Sequence, residues 1–297
     1  MRILLTGGSG FVGRNLLEHL SREHEVLAPT HAELDLADDR AVDAWFRAHE
    51  VDAVVLGAVR PGHRAAQDPA RQLWSNLRMF FNITRNSNRF GRLVFLSSGA
   101  AYDTRSALVR VAEDRLGASV PEDEHGLSKY TIARYMEALG PQARPSVVEL
   151  RLFGVFGPYE DYGIRFISNA ICRTLFDLPI TLRQDRRFSY LFIRDLMPVI
   201  DWALVGRPEH VAYNVAPDWA DSLHDIGHLV SIRSGKDLPV LVAAEGYGRE
   251  YSADNARLRK EMPHLRFTPT EVAIDRLFRW YEDRRSEIDA TRLDIDK

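Results

Sequence analysis

The strongest constraint on the fold of this 297-residue chain is a glycine turn close to its first residue. The apolar residues 3–5 predict a buried strand, and from Phe11 onwards apolar residues recur at helical spacing. Gly7, Gly10 and Gly13 join the two segments. A strand, a glycine turn and a helix in this order are typical of a site that binds a dinucleotide, although a plain glycine turn before a helix is the alternative.

Each glycine has a separate role in such a site. We expect Gly7 to turn the chain sharply, Gly10 to let the backbone approach a pyrophosphate, and Gly13 to let the helix pack closely on the strand. The free N–H groups and the positive end of the helix then face the phosphates. The residues expected to contact the cofactor here are Gly7, Ser9, Gly10, Phe11, Val12 and Gly13.

The end of the second predicted strand, residues 25–28, bears on the choice between NAD and NADP. A carboxylate there would hold the ribose 2′-hydroxyl of NAD. The strand instead runs into Pro29, Thr30 and His31, which either bind a 2′-phosphate or form an ordinary turn. The sequence therefore favours NADP without excluding NAD, and Asp35 and Leu36 are expected to border the adenine.

Strands continue to alternate with helices up to about residue 151, which predicts an α/β fold with a doubly wound parallel sheet of the Rossmann type. Small residues at the end of the third strand, Gly57, Ala58 and Val59, suit a ligand that passes close to the backbone. We expect a cofactor-binding domain at 1–157 and a smaller α+β substrate lobe at 158–297, some of whose elements return to the first domain. Residues 103–122 are predicted to form an irregular loop over the site.

Composition excludes several classes of protein. Hydrophobic residues make up 45% of the chain and charged residues 27%, as in ordinary globular proteins. The net charge of −3 provides no basic field to attract nucleic acid or an anionic membrane, and no stretch approaches the length of a membrane span. The single Cys172 excludes an intramolecular disulfide and fits a reducing compartment, so a cytoplasmic protein is expected.

Several longer motifs occur in a fixed order along the chain. They are Thr6-Gly-Gly-Ser-Gly-Phe-Val-Gly13, Leu96-Ser-Ser-Gly-Ala-Ala-Tyr102, His125-Gly-Leu-Ser-Lys129, Arg151-Leu-Phe-Gly-Val-Phe-Gly-Pro158, Phe188-Ser-Tyr-Leu-Phe-Ile-Arg-Asp195 and Tyr213-Asn-Val215. On these motifs nearly the whole chain resembles the extended short-chain dehydrogenases/reductases, and within them the NAD-dependent epimerase/dehydratase family that acts on nucleotide sugars. Glu33-Leu-Asp-Leu36 looks most like the branch with GDP-fucose synthase and dTDP-rhamnose reductase.

The resemblance implies a hydride transfer between a nicotinamide and a sugar carbon, with three catalytic residues and no metal. Ser98 would hydrogen-bond the sugar oxygen, and Lys129 would hold the nicotinamide ribose and add positive charge. The family has a Tyr four residues before the Lys, where this chain has His125. Imidazole is a general acid or base near neutral pH, so His125 is either a re-tuned proton donor or a sign of lost chemistry.

Other departures concern the substrate. Gly154 stands where many members have an Asn, and Phe188 where many have an Arg that meets the diphosphate; Arg187, or Arg183 and Arg186, would replace that Arg or form a solvated basic turn. Further cofactor contacts implied are Gly57, Ala58, Val59, Asn76, Leu96, Lys129, Leu152 and Val155. Substrate contacts implied are Gly99, Ala100, Gly154, Arg187 and Asn214.

These residues lead to an NAD(P)-dependent reductase of a 4-keto sugar nucleotide as the expected function. Ala100 replaces the Cys of members that epimerise at carbons 3 and 5, which lowers the expectation of that reaction. A 4-epimerase and a catalytically silent cofactor-binding relative are the alternatives. Family members pair through two long helices, so segments 66–88 and 124–139 predict a homodimer, unless their apolar stripes face the core instead.

Overall fold

The computed structural model describes residues 1–60 and 71–293. Its strands are β1 (Arg2–Thr6), β2 (Glu25–Leu27), β3 (Ala53–Leu56), β4 (Arg92–Ser98), β5 (Leu108–Val111), β6 (Ser146–Leu152), β7 (Ile180–Asp185), β8 (Arg187–Phe188), β9 (Ala212–Val215), β10 (Asp221–Ser222), β11 (Val240–Tyr247) and β12 (Tyr251–Ala253). Its helices are α1 (Phe11–Leu20), α2 (Asp39–Ala48), α3 (Gln72–Thr84), α4 (Glu124–Leu139), α5 (Phe166–Leu175), α6 (Ile193–Val205), α7 (Leu223–Ser234), α8 (Ala256–Glu261) and α9 (Thr270–Glu282).

A parallel sheet of six strands, in the order β2-β1-β3-β4-β6-β9, forms the centre of the molecule. Most residues of its strands are buried and apolar because helices cover both faces. On β1, Ile3 and Leu5 pack with residues of α1 and α6, whereas Leu4 packs with residues of α2 and α3. The predicted doubly wound α/β fold is confirmed.

The strand order reverses at β1, so that the chain leaves β1 and β3 towards opposite faces of the sheet. In open α/β sheets a ligand binds in the crevice outside the carboxyl ends of strands at such a point. The glycine turn follows β1 and residues 57–59 follow β3, so both segments lie at this crevice.

The second lobe rests on the carboxyl edge of the large sheet. It contains α5, α7 and α9, which pack on one another, and the parallel pair β7 and β11. A smaller sheet in the order β10-β8-β12-β5 joins the two parts of the molecule. After residue 158 the chain also returns to the large sheet, because β9 pairs with β6 and α6 packs against β4.

The prediction of an irregular loop at 103–122 is wrong in part, because β5 forms within it by pairing with β12. Of the predicted helix at 66–88, residues 72–84 form α3, and residues 66–70 lie outside the described part of the chain. Across residues 1–60 and 71–293, no helix has the length and apolar character needed to cross a membrane.

Candidate active site

The glycine turn packs so tightly that two of its positions leave no room for a side chain. Gly7 has a φ of +75°, a left-handed conformation that turns the chain out of β1. A Cβ atom on Gly13 would lie 2.0 Å from the Gly7 carbonyl oxygen, so α1 begins directly against the turn. A Cβ on Gly10 would come no nearer to other residues than 3.4 Å, so the space above Gly10 is open.

The same turn leaves the start of α1 free to bind an anion. Gly10 is the N-cap of α1 and has no side chain to bond the first N–H groups of the helix, which have no acceptor within the helix. Phe11 and Val12, in the first turn, line the large cavity described below. An open backbone approach beside unsatisfied N–H groups fits the pyrophosphate of a dinucleotide.

The segment that follows β3 is held against the glycine turn. The Thr6 hydroxyl accepts hydrogen bonds from the backbone N–H groups of Gly57 and Ala58, at 3.2 and 3.1 Å. A Cβ on Gly7 would lie 2.9 Å from the Ala58 nitrogen. The two strand ends therefore form one continuous floor, and Gly57 and Val59 line the cavity.

A cavity of about 1370 Å³ opens between the large sheet and the second lobe. It collects predicted site residues that are far apart in the sequence. Those that line it are Phe11, Val12, Gly57, Val59, Leu96, Ser98, His125, Lys129, Leu152, Gly154 and Val155. All three predicted catalytic side chains are therefore in one cavity with the start of α1.

Lys129 is buried on α4, where its Nζ donates a hydrogen bond of 3.0 Å to the Leu96 carbonyl oxygen. The ammonium group also lies 4.5 Å from the centre of the Phe95 ring. Burial lowers the pKa of Lys129 to about 8, although the negative charge of Glu149 opposes this shift. The side chain therefore brings a positive charge to the end of β4 at neutral pH.

His125 lies one helical turn before Lys129. Burial lowers its pKa to about 4, and the positive charges of Lys129 and Arg165 act in the same direction, against Asp123. The imidazole is therefore neutral at pH 7. Its Nδ1 atom is buried and has no hydrogen-bond partner among the described residues.

Ser98 ends β4, and its Oγ accepts a hydrogen bond of 3.1 Å from the backbone N–H of Ala100. The Ser98 hydroxyl also interacts with the Tyr251 hydroxyl, and Tyr251 lines the same cavity. Gly99 and Ala100 form the turn that follows. A Cβ on Gly99 would lie 2.5 Å from both the Phe153 ring and the Tyr251 hydroxyl, so a side chain here would displace these groups.

The residues that follow β2 contact one another through their polar groups. The backbone N–H and the hydroxyl of Thr30 both donate to the Glu33 carboxylate, at 2.7 and 2.9 Å. His31 is exposed, with its Nδ1 at 3.8 Å from Asp35. The sequence reading found no carboxylate at this strand end, but the fold brings Glu33 back to it. Leu36 is buried, and its carbonyl oxygen accepts from Asn82.

Asn76 lies on α3 and connects three segments around the cofactor side of the cavity. Its Oδ1 accepts from the backbone N–H of Arg60 at 2.8 Å, and its Nδ2 donates to the Ser128 hydroxyl at 3.1 Å. It therefore ties the segment after β3 to α4, the helix of His125 and Lys129.

Two of the residues predicted to bind substrate lie elsewhere. Arg187 is exposed and donates to the Ala220 carbonyl oxygen, whereas Arg183 and Arg186 line the cavity. Asn214 is fully buried, accepts from the Tyr102 hydroxyl and donates to two backbone carbonyl groups. Asn214 therefore ties β9 to its neighbours instead of lining the cavity.

Gly154 does line the cavity, and the ring of Phe188 leaves no space for a side chain at this position. Gly154 has a φ of +49°, and a Cβ on it would lie 2.4 Å from the Ser189 carbonyl oxygen and 2.8 Å from the Phe188 ring. The two departures from the family pattern are therefore a single coupled change, since a side chain at 154 and the ring of Phe188 would occupy the same space.

The sequence reading missed several residues of the cavity wall. They are Glu160, Arg165, Tyr190, Arg249 and Tyr251. Glu160 is buried and hydrogen-bonded to the Ser168 hydroxyl at 2.6 Å. Burial raises the pKa of Glu160 to about 8. Glu160 follows Gly157 and Pro158 closely, which was the available clue; Arg249 and Tyr251 belong to no motif.

Comparison with known proteins agrees with this geometry. The sequence model of the NAD dependent epimerase/dehydratase family matches residues 3–216. GDP-L-colitose synthase of Yersinia pseudotuberculosis is 26% identical over 243 residues, which cover 74% of this chain and 78% of that protein.

Solved structures share the fold over almost the whole chain. GDP-mannoheptose C4 reductase from Campylobacter jejuni, with NADP bound, is 19% identical and matches with a TM-score of 0.81. The match covers 95% of this chain and 98% of that one. UDP-glucose 4-epimerase of Thermus thermophilus, in complex with NAD, has a TM-score of 0.78 at 22% identity, with 95% of this chain and 99% of that one covered. The family match over most of the chain, together with the glycine turn at the start of α1, establishes that this chain belongs to the NAD-dependent epimerase/dehydratase family, whose cofactor is a nicotinamide dinucleotide.

Proposed function

We propose that this protein is an NAD(P)-dependent oxidoreductase that reduces the keto group of a 4-keto sugar nucleotide. The observation that carries the proposal is the shared cavity, which is lined by the start of α1 and Gly57, by Ser98, His125 and Lys129, and by several arginines. A dinucleotide, a sugar carbonyl and a second diphosphate would each meet suitable groups there.

At the centre of the cavity, each side chain is assigned a role that its surroundings permit. The bound nicotinamide would supply or accept a hydride. Ser98 would donate a hydrogen bond to the sugar carbonyl, and Lys129 would hold the ribose and stabilise developing negative charge. His125, whose imidazole is neutral at pH 7, would act as a hydrogen-bond partner; as a proton donor it would have to give up its one remaining N–H proton.

The diphosphate of the substrate is assigned to Arg183, Arg186 and Arg249. All three line the cavity, and they come from β7, from the link between β7 and β8, and from the segment after β11. Guanidinium groups bind phosphate oxygens in pairs of parallel hydrogen bonds, which gives both strength and orientation. Arg187, the other candidate from the sequence, is exposed and donates to the Ala220 carbonyl group, so we do not assign it this role.

NAD and NADP are both candidate cofactors, and the surroundings of Thr30 bear on the choice. Its two donors are engaged by the Glu33 carboxylate, which competes with a 2′-phosphate for them. A direct test compares the KM for NADH and NADPH in the wild type and in Glu33→Ala. Removal of the carboxylate should lower the KM for NADPH relative to that for NADH; an unchanged ratio would show that Glu33 does not discriminate.

A 4-epimerase is the second candidate, because it needs the same hydride transfer and proton relay and because named relatives include UDP-glucose 4-epimerase of Bacillus subtilis. Purified protein should be mixed with NADPH or NADH and a panel of 4-keto-6-deoxy sugar nucleotides carrying GDP, dTDP or UDP. A reductase consumes the reduced cofactor in proportion to the keto sugar. An epimerase leaves the amount of cofactor unchanged and interconverts two sugar nucleotides, which chromatography resolves. A cofactor-binding protein with neither activity would be the silent relative.

We also propose that two copies pair through α3 and α4. These helices contact each other and expose a group of large apolar side chains. The group, here called the α3/α4 patch, consists of Trp74, Phe81, Tyr135 and Leu139. The rings of Phe81 and Tyr135 pack edge to face at 5.1 Å, so the patch is continuous from one helix to the other. A continuous apolar patch on a helix pair is typical of a protein interface.

A further inference from the structure

The proposed reduction needs a proton for the sugar oxygen, and the family residue for that step is absent. His125 stands at its position and is neutral at pH 7. A neutral imidazole is a far weaker acid than an imidazolium, because giving up its remaining proton leaves an anion. The source of the proton must therefore be sought among the other groups around Ser98.

We infer that Tyr251 is the proton donor, acting beside Ser98 in place of the missing family tyrosine. Tyr251 begins β12, whose pairing with β5 and β8 brings it to the cavity wall from a distant part of the chain. Its hydroxyl interacts with that of Ser98, the residue assigned to the sugar carbonyl, and occupies the space beside Gly99, the residue that follows Ser98. A carbonyl oxygen that binds Ser98 therefore comes within reach of the phenol as well.

The surroundings of Tyr251 are built to hold this phenol in one position. Its ring centre lies 4.8 Å from that of Phe153 and 4.7 Å from that of Phe188. Gly99 leaves the space that the hydroxyl occupies, since a Cβ there would lie 2.5 Å from it. Gly154 leaves the space for Phe188 in the same way.

This arrangement gives one explanation for three departures from the family pattern. His125 removes the usual phenol from α4, whereas Gly154 and Phe188 together support a phenol that arrives from β12. Tyr190 also lines the cavity, and its ring stacks on Phe188 at 4.6 Å, but of the two phenols only that of Tyr251 interacts with Ser98. The geometry therefore selects Tyr251 and not Tyr190.

The electrostatics suit a proton donor. Burial raises the pKa of Tyr251 to about 12, while the Ser98 hydrogen bond and the positive charges of Arg186 and Arg165 oppose the rise. The phenol is therefore fully protonated at neutral pH. Its acidity still exceeds that of a sugar alcohol, so transfer of its proton to the forming alkoxide is downhill.

In the proposed reduction, the reduced cofactor supplies the hydride and Tyr251 supplies the proton. The carbonyl carbon gains the hydride of the reduced cofactor as the carbon–oxygen π bond breaks, and the oxygen takes the proton of Tyr251. The Tyr251 phenolate then regains a proton from water. One reduced cofactor and one proton are consumed for each alcohol formed, and the same residue would remove the proton in the reverse direction.

The test compares Tyr251→Phe, which keeps the ring, with Tyr130→Phe, which removes a hydroxyl near Gly117, away from the cavity. Because this inference rests on the proposed reduction, activity is one readout and binding is another. Loss of a general acid lowers rates by about 10²–10⁴-fold, so Tyr251→Phe should lower kcat by at least about 100-fold. Tyr130→Phe should stay within about twofold of the wild type, and His125→Gln should lose less than Tyr251→Phe.

The second readout is affinity for a 4-keto-6-deoxy sugar nucleotide, measured calorimetrically without cofactor. Loss of one hydrogen bond to the carbonyl should weaken binding by about 2–10-fold in Tyr251→Phe, and binding of the nucleoside diphosphate alone should not change. If His125→Gln loses activity while Tyr251→Phe keeps kcat and affinity, the inference is wrong and the reduction stands. If the wild type binds the keto sugar but does not turn it over, the proposed reduction is wrong. The affinity of Tyr251→Phe for the keto sugar then shows by itself whether this phenol contacts the carbonyl. If the wild type does not bind it, both proposals fail.

Discussion

At the residue scale, the glycine turn separates the requirements of the fold from those of the cofactor. A Cβ on Gly13 would lie 2.0 Å from the Gly7 carbonyl oxygen, whereas one on Gly10 would make only ordinary contact, at 3.4 Å. We therefore expect Gly13→Ala to lower the melting temperature by several degrees, because the start of α1 must move, at a cost of about 1–3 kcal/mol. Gly10→Ala should fold normally but lose affinity for NADPH by roughly tenfold or more.

The two variants are each other's control. Thermal unfolding without cofactor reports the fold, and quenching of protein fluorescence by added NADPH reports binding. If Gly10→Ala binds NADPH as the wild type does, the pyrophosphate does not approach the backbone at Gly10. If Gly13→Ala melts at the wild-type temperature, the turn is less tightly packed than its geometry indicates.

Glu160 provides a pH-dependent prediction. Burial raises its pKa to about 8 in the folded protein, above the ordinary value of 4.5 that it regains on unfolding. Between these two pH values only the folded state keeps the proton, so the free energy of unfolding falls as pH rises from about 4.5 to 8. Above pH 8 both states are ionised, and the full cost of the buried charge remains.

Glu160→Gln removes this dependence while keeping the shape of the side chain. We expect the variant to melt close to the wild type at pH 5 and several degrees above it at pH 8.5, as a shift of a few pKa units corresponds to a few kcal/mol. Glu282→Gln, an exposed position on α9, is the control and should change neither value. A constant difference between wild type and Glu160→Gln across this pH range would contradict the raised pKa.

At the scale of elements, a buried ionic network joins β6 to the helix that carries Lys129. Arg151 is fully buried, and its guanidinium bonds Glu149 at 2.9 Å, Glu137 of α4 at 2.9 Å and the Tyr102 hydroxyl at 2.9 Å. Glu149 also raises the pKa of Lys129. The network therefore fixes α4 against the sheet and supports the positive charge on Lys129.

Arg151→Met should be strongly destabilising. Removal of one partner of a buried ion pair leaves the other charge without compensation, at a cost of about 3–5 kcal/mol. Equilibrium unfolding in urea measures this loss, and Arg187→Met, at an exposed position, is the control. The double variant Arg151→Met/Glu149→Leu should recover part of the stability, since the fully buried carboxylate that lost its partner is removed as well. If the double variant is no more stable than Arg151→Met, the loss comes from packing and not from the unpaired carboxylate.

The sequence predicted those parts of the site that local order determines. The strand, the glycine turn and the start of α1 are adjacent in the chain, and Ser98, His125 and Lys129 follow from a strand end and a helical spacing. Arg187 lies outside the cavity lining for a reason that is also local. Neighbouring residues of an extended segment point to opposite sides, so Arg186 and Phe188 face the cavity and Arg187 faces away.

Tyr251 and β5 could not be predicted because they depend on pairing between distant segments. β12 has only three residues, too few to show an alternating pattern, and it forms because β5 and β8 lie on either side of it. Asn214 illustrates the opposite case: it lies in a recognisable motif, but the sequence does not show that its amide makes structural hydrogen bonds. Its amide is consumed by Tyr102, Val111 and Asp254, all brought to it by the fold.

At the scale of the whole molecule, the α3/α4 patch is the proposed interface between two copies of the chain. We expect the wild type to elute with the mass of two chains in light scattering coupled to size exclusion. The double variant Phe81→Lys/Tyr135→Lys should have the mass of one chain, because pairing would bury both new charges. Ile232→Lys is the matched control, since Ile232 is 76% exposed on α7, far along the chain from the patch, and should leave the mass unchanged.

Dissociation of the proposed dimer should also change cofactor binding and stability, and not only the mass. His125 and Lys129 lie on α4, the same helix that carries Tyr135, so pairing through the patch would restrain the catalytic helix from its outer side. The dissociated variant should therefore keep its fold by circular dichroism yet bind NADPH more weakly, and it should melt at a lower temperature that no longer depends on protein concentration. This interface is excluded if the wild type has the mass of one chain at micromolar concentrations, or if the double variant remains paired. The exposed apolar residues of α3 and α4 would then be expected to contact another partner.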